Sequence, residues 1–376
     1  MSESRCALTL CVTTRDAEQR LGLLLGEAER YADEIIVGVD LASRDRTWDV
    51  AVAGADRVFA FRQQHGAGPA RLAGFERARG EWVLFLDDDE GMDTAFPELR
   101  DELLGATCVT HWWLSRKWVT GLDPPEYLRA VPWFPNECVR LVRNDPGRLF
   151  KPAAVHSGLR AIGISGREHR TSILHYERID QPDEARAAKV SRYRELGQDT
   201  AGEVFYTSPP GTPRAPVEPP PLRGWAGRPR AAHPPALVDP DVDDLDIRPR
   251  LPGWGARVEV NMPTRARTGE RLVVTASAHN TGTLRWVPPS AAVDWPRLSL
   301  GCRFRVGDSG LVDGGTRGPV GRDVAPGEVA LFQFVLDAPD VPGEYVFEWQ
   351  MVSEFECWFS DLGSPPTARA LTVRPP

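Results

Sequence analysis

Between Ser208 and Pro252 the chain carries Pro209, Pro210, Pro213, Pro216, Pro219, Pro220 and Pro221. Proline fixes φ and has no amide proton, so such a stretch can hold neither a helix nor an inner strand. That breaks the 376 residues into two folding problems, a division their number also favours. The expected organisation is a first domain over 1–205, a Pro-rich linker over 206–254, and a second domain over 255–376.

The two sides differ in period. On the N-terminal side strands alternate with helices: Ala7 to Thr13, then Leu21, Leu24, Leu25, Ala28 and Tyr31 at helical spacing, then Glu34 to Val39. Asp45 suits the N-cap of a helix through Ala53, Arg57 to Phe61 is a third strand, Gly68 to Arg79 a helix, and Trp82 to Leu86 a fourth strand. This alternation predicts an α/β domain with a Rossmann-like parallel sheet. Shorter strands follow at Val139 to Val142 and Ser172 to His175, with a closing helix from Asp183 to Leu196. Beyond Gly255 the period falls to two, over Ala256 to Met262, Leu272 to His279, Leu298 to Val306, Ala330 to Leu336 and Tyr345 to Val352. The turns Asn280-Thr281-Gly282, Pro326-Gly327 and Pro342-Gly343 separate several of these runs. An all-β, immunoglobulin-like sandwich is expected there.

The formal net charge of -8 excludes a duplex-binding surface, which needs basic residues to neutralise phosphates. A nucleic-acid partner is therefore not expected. The chain shows neither a signal-peptide core nor an apolar run long enough to cross a bilayer, which points to a cytoplasmic location without a transmembrane segment. Six scattered cysteines include no C-x-x-C pair. Cys302 and Cys357 could face each other across the C-terminal sheet, but reduced thiols are the expectation.

Chemistry concentrates where Trp82-Val83-Leu84-Phe85-Leu86 runs into Asp87-Asp88-Asp89-Glu90. A buried parallel strand delivers these carboxylates to its C-terminal end, where open α/β sheets bind ligands. Acids at i and i+2 can hold ribose and a hard divalent cation, Mn2+ or Mg2+. A solvated acidic turn is the plain alternative. A Walker B strand is excluded because no G-x-x-x-x-G-K-[ST] loop accompanies it. His65-Gly66-Ala67-Gly68-Pro69-Ala70-Arg71 echoes a dinucleotide fingerprint, but Arg71 replaces the last glycine and the stretch follows the third strand.

The order Ala7-Leu8-Thr9-Leu10-Cys11-Val12-Thr13-Thr14-Arg15-Asp16, then Ile35-Ile36-Val37-Gly38-Val39-Asp40 with Ser43-x-Asp45-x-Thr47, then Phe85-Leu86-Asp87-Asp88-Asp89-Glu90 resembles the family 2 glycosyltransferases. The resemblance implies a GT-A fold and an inverting transfer from a UDP-, GDP- or dTDP-linked sugar. By this likeness Asp40 takes the base or ribose of the donor nucleotide, Asp87 the ribose side and Asp89 the metal, with Asp88 also in the donor-binding set; Thr13, Thr14 and Arg15 line the nucleotide pocket and Arg71 lies near the diphosphate. Val139-Arg140-Leu141-Val142-Arg143, Val155-His156-Ser157-Gly158-Leu159 and Ile173-Leu174-His175-Tyr176 resemble the later half of the family's envelope-sugar branch. His175 is then a candidate third ligand, against the reading of a satisfied core histidine. Ser157 stands where that branch commonly has glutamate, which removes support for a catalytic role there.

An inverting transfer needs a base for the acceptor hydroxyl. Glu137 is the candidate, with a salt bridge to Arg140 as its structural alternative; Asp123 and Glu126 are reserves. Trp112, Trp113 and Trp133 could stack on an acceptor or could fill the core. The acceptor could be a glycan, a lipid-linked precursor or a small molecule.

In the C-terminal half, His279-Asn280-Thr281-Gly282-Thr283-Leu284-Arg285-Trp286 and Pro342-Gly343-Glu344-Tyr345 resemble immunoglobulin-like modules of bacterial surface-sugar and transport proteins. Such a module implies binding or assembly, a homodimer included. Two rival functions stay open: a non-catalytic glycan-binding or scaffold protein, and a sugar nucleotidyltransferase. The latter would need a Gly-rich phosphate loop where Thr13-Thr14-Arg15-Asp16 stands.

Overall fold

A computed structural model describes residues 6–62, 68–150, 160–180, 186, 188, 190–191, 208–209, 211–222, 237–239, 253–290, 296–307, 310–354 and 357–376. The chain divides into two compact units. The first lies within 1–250; the second comprises Leu251–Pro376 with the short segments Gly147–Leu149 and Ile162–Ile164.

The first unit opens as β1 (Leu8–Thr14), α1 (Glu18–Ala28), β2 (Glu34–Asp40), α2 (Thr47–Gly54), β3 (Arg57–Phe61), α3 (Gly68–Arg77) and β4 (Trp82–Asp87). These are the strands and helices expected from the sequence, with small differences at their ends. All seven residues of β1 and all seven of β2 are buried. Their near-continuous apolar runs suit a parallel sheet covered on both faces. Leu8, Leu10 and Val12 pack with Leu21, Leu24 and Leu25 of α1 on one face. On the other, Gly74 of α3 lies beside Cys11, and Phe75 stacks on Phe85. Gly38 is required there, because a Cβ on it would sit 2.5 Å from the Phe59 ring.

Next come β5 (Glu90–Met92), α4 (Phe96–Gly105), β6 (His111–Leu122), β7 (Pro125–Leu128) and β8 (Glu137–Arg143). A two-stranded ribbon joins β9 (Leu149–Phe150) to β10 (Arg160–Ala161), and β11 (Ser165–His175) leads into the short α5 (Glu177–Asp180). Two short strands complete the sheet, β12 (Arg214–Pro216) and β13 (Leu237–Asp239), in the order β12-β7-β6-β8-β4-β1-β2-β3-β13. β11 runs parallel to β6 and antiparallel to β5.

Part of the segment expected as a linker is therefore integral to the first unit. Proline still obeys its rule, since β12 and β13 take the two ends of the strand order, where a missing donor costs no inner ladder bond. What anchors the segment is apolar burial: Val217 packs with Val119 and Tyr127, and Leu222 joins the main core. The helix expected from Asp183 to Leu196 falls largely outside the described residues, where only 186, 188 and 190–191 are described, as helix.

Between Leu251 and Pro376 the second unit is all-β apart from a short 3-10 turn at Phe359–Leu362, among the described residues. Its strands are β14 (Ala256–Asn261), β15 (Arg265–Arg267), β16 (Arg271–Asn280), β17 (Leu298–Val306), β18 (Val312–Pro319), β19 (Val329–Asp337), β20 (Gly343–Ser353), β21 (Cys357–Trp358) and β22 (Thr367–Arg374). One sheet runs β14-β16-β19 and the other β15-β22-β20-β17-β18, with β21 on β20. Trp286, Trp349 and Phe359 fill the space between, each under 2 % exposed. The buried Asn280 amide donates to the carbonyls of Leu284 and Val324 and fixes the turn after β16. No disulfide joins Cys302 to Cys357. No helix among the described residues is long and apolar enough to cross a membrane.

Candidate active site

In the order β3-β2-β1-β4 the crossovers reverse direction between β1 and β4, and the crevice at such a switch point, past the carboxyl ends of the strands, is where open α/β sheets bind ligands. Thr13 at the end of β1 is in register with Asp87 at the end of β4. The acidic turn thus lies at the one position the topology favours for a ligand.

The four acids of that turn have different fates. Asp87 accepts from Arg71 on α3 and from Arg140 Nη2 on β8 at 3.0 Å. Burial alone would raise its pKa, but these two guanidinium groups hold it well below the usual carboxylate range. Glu90 turns inward, fully buried, accepting from Arg140 Nη2 at 2.7 Å, from Arg116 Nη1 at 3.3 Å and from the Asp87 amide at 3.0 Å. It is a structural counter-charge that fixes the turn. Asp88 accepts from Thr14 Oγ1 at 2.7 Å and from Arg20 Nε at 3.2 Å. Burial first, and then the charge of Asp89, push it up to about 6.

Asp89 is the acid that faces other ligating groups. Its carboxylate, His175 and Glu177 each offer an atom within 4.8 Å of the others, and all three residues are buried. Strand pairing assembles them. β5 leaves the acidic turn and pairs with the end of β11, setting His175 opposite Glu90, and the Tyr176 amide then donates to the Asp89 carbonyl at 2.7 Å. Asp93, pushed up to about 6 by its burial, tethers the same strands by accepting from Thr171 Oγ1 and the Ser172 amide, each at 2.7 Å. His175 Nε2 lies 3.6 Å from Asp89 Oδ1, and its buried Nδ1 has no hydrogen-bond partner among the described residues. The Trp118 ring, 4.1 Å away between centroids, fixes the imidazole plane. Two carboxylates and an imidazole with an orphaned nitrogen fit a divalent cation by donor type and spacing.

Across the switch point, Asp40 ends β2 almost wholly buried, accepting from the Ala42 amide at 3.0 Å, with Arg15 Nη1 at 3.6 Å from its other oxygen. The Ser43, Asp45, Thr47 set is scaffolding. Asp45 accepts from the amides of Thr47 and Glu18, both at 3.0 Å, and Thr47 Oγ1 accepts from the Ala17 amide at 2.8 Å. These bonds lace the loop after β1 to the loop after β2 and hold Thr14, Arg15 and Asp40 around one crevice. Asp45 acts one residue earlier than a simple N-cap, since Arg46 occupies that position.

The structure brings Thr13, Thr14, Arg15, Asp40, Arg71, Asp87, Asp88, Asp89 and His175 to this end of the sheet. Glu137 is ion-paired with Arg167, and His169 Nδ1 lies 3.6 Å away, so its partners are on β11 rather than Arg140. Trp112 donates to the Leu103 carbonyl and packs on the main core, and Trp133 is buried with Trp118 and Leu128. Of the three tryptophans proposed for an acceptor, Trp113 is half-buried with Arg167 over its ring. The segment around His156 lies outside the described residues. Sequence reasoning missed Glu177 and the clamping role of Arg140. The H-x-E spacing of His175 and Glu177 was the available signal for the first; for the second, only the unpaired acids of the turn called for a cation.

Residues 9–159 match the family model described as Glycosyl transferase family 2. The lipopolysaccharide core biosynthesis glycosyltransferase LpsC of Rhizobium meliloti is 27% identical over 200 residues, 51% of this chain and 70% of LpsC. A TPR repeat-containing protein of Synechococcus elongatus is 33% identical over 145 residues, 38% of this chain and 33% of that protein. Among solved structures, residues 1–349 of S. aureus TarS align at a TM-score of 0.35 and 15% identity, covering 53% of this chain and 68% of that one.

Proposed function

Because its first unit belongs to glycosyl transferase family 2, this chain is a glycosyltransferase, and we propose that it moves a sugar with inversion from a nucleoside-diphosphate donor to an acceptor hydroxyl, aided by a divalent cation. The observation that carries the reading is the convergence of Asp89, His175 and Glu177 at the switch-point end of β4. These three residues would hold Mn2+ or Mg2+, which when bound offsets the charge developing on the leaving diphosphate.

The chain's own residues do the rest. Asp40, Arg15 and Thr14 line the nucleoside side of the crevice, with the buried Asp40 carboxylate as an acceptor for ribose or base. Arg71 faces the diphosphate side. Its Nη2 is engaged by Asp87, while its buried Nε has no hydrogen-bond partner among the described residues and can serve a phosphate oxygen. The acceptor oxygen attacks the anomeric carbon as the bond to the diphosphate breaks, and a carboxylate takes the hydroxyl proton. Glu137 is the carboxylate we assign to that step; it is a quarter exposed and would have to exchange its Arg167 partner for the acceptor. The likeness to LpsC supports an envelope glycan as the acceptor. A nucleotide-sugar enzyme of this kind would work in the cytoplasm.

Calorimetric titration of UDP, GDP and dTDP, with and without Mn2+, against wild type and Asp89→Ala tests the site. One nucleotide should bind in a metal-dependent way, at least about 10²-fold more weakly in the variant, since even outer-shell partners of metal ligands cost 10- to 100-fold. Binding that ignores both metal and Asp89 would remove the metal assignment, and no binding at all would favour the scaffold reading. Glu137→Gln should keep nucleotide affinity and lose turnover; unchanged turnover would move the base to another carboxylate.

A further inference from the structure

We infer that the outward face of the β14-β16-β19 sheet is a second binding site, one that holds a neutral oligosaccharide chain laid across the three strands. The ligand class rests on the glycan-acceptor reading above; the site itself rests on the second unit alone.

A concavity of about 820 Å3 lies on this unit, lined by Glu259, Asn261, Thr275, Ser277, Leu331, Gln333 and Arg369, among others. It is an open, shallow depression on the face of the sheet. Strand register arranges the lining in rows. Asn261, Thr275 and Gln333 stand directly opposite one another across the three strands, and the next row is Glu259, Ser277 and Leu331. On the other side of the amide-hydroxyl row stand Val273 and Val335, also paired. Leu331 is 81% exposed, Val335 58% and Val273 54%.

The chemistry selects the occupant. Asn, Gln, Ser and Thr side chains both donate and accept, which matches hydroxyls that do the same. The apolar residues flanking the polar row suit the C–H faces of a sugar ring. The lining carries one carboxylate, Glu259, and one guanidinium, Arg369 of β22, and so no net charge, and Arg369 is already spent on the carbonyls of Val260 and Ala368. An anionic polymer finds no cationic track here. A buried apolar ligand finds no enclosed pocket, because the row side chains other than the half-buried Ser277 are exposed.

The test is binding of the full chain to a printed array of neutral bacterial-envelope oligosaccharides, with wild type, Thr275→Trp and Asp89→Ala run side by side. Thr275→Trp fills the middle of the polar row at an exposed strand position where aromatics are well accepted. At least one oligosaccharide should bind wild type and Asp89→Ala alike, with binding tenfold or more weaker in Thr275→Trp. Should Thr275→Trp misfold, as judged by its near-UV circular dichroism and unfolding transition, the Asn261→Ala, Gln333→Ala pair removes the amides without adding bulk. An array with no bound glycan would overturn the proposal, as would binding untouched by these variants or lost only in Asp89→Ala, which would assign it to the transfer site. A wild-type dimer that Thr275→Trp dissociates in light scattering would also overturn it, giving the face to a second copy of the chain. If nucleotide binding fails in wild type while Thr275-dependent glycan binding survives, the transfer reading falls alone.

Discussion

β1 and β19 are both predominantly apolar strands, yet every residue of β1 is buried while β19 alternates buried and exposed residues along most of its length. Helices α1 and α3 cover the two faces of β1. β19 rests one face on the sandwich core through Ala330, Phe332 and Phe334 and leaves Leu331, Gln333 and Val335 outside. The difference decides where each unit can do chemistry. A sheet covered on both sides has only strand ends to offer, so the acids of the first unit collect past β4. A sheet covered on one side has a whole face to offer, so the second unit's candidate ligand groups lie in rows across strands.

The comparison breaks hardest where the covered sheet carries charge. Arg140 is 5% exposed and its Nη2 bonds both Asp87 and Glu90. Burial would lower its pKa, but those two carboxylates raise it well above the ordinary arginine value. Arg140→Met should therefore cost about 3–5 kcal/mol of stability, the loss expected when one partner of a buried ion pair is removed. Arg71 and Arg116 still neutralise part of the exposed charge, which sets the expectation at the lower end of that range. Denaturant unfolding reads the cost directly. A change below about 1 kcal/mol would mean that the acidic turn does not depend on Arg140.

The same contrast explains what the sequence disclosed. The four parallel strands were legible because a strand buried on both faces must be apolar throughout, as Ile35 to Val39 and Val83 to Leu86 are. The acidic turn was legible because it interrupts such a run. Five strands of the sandwich, β14, β16, β17, β19 and β20, were legible from alternation and turn signals, whereas β15, β18, β21 and β22 were not, and the paired register of β14, β16 and β19 is what fixes Asn261 beside Thr275 and Gln333. Glu177 was missed as a candidate ligand, since its approach to Asp89 depends on the antiparallel pairing of β5 with β11, a long-range contact of which the H-x-E spacing was the only local trace. Glu137 has the same lesson: an acid at the start of a strand gives no sign of whether Arg140 on its own strand or Arg167 on β11 will take it. Trp133 looked like a sugar platform only because an aromatic residue reads alike in a core and in a cleft. The prolines of 209–221 excluded an inner strand correctly but gave no sign of the edge strand β12 between them.

Two substitutions of one apolar side chain each give the smaller and sharper test. Leu222 belongs to the Pro-rich segment and is 1% exposed in the main core of the first unit. Leu222→Ala should cost about 2–5 kcal/mol, the transfer and cavity loss of a buried leucine. A cost near zero would return the segment to the status of a linker. Val335 is as apolar but 58% exposed on the open face of β19. Val335→Thr keeps the β-branch that a strand prefers and adds a hydroxyl that water can satisfy, so stability should move by no more than about 0.5 kcal/mol. The measurement is the unfolding midpoint of the full chain beside that of wild type. A loss above 1 kcal/mol would show Val335 covered by something in solution, and the open face of the second unit would then be a buried one.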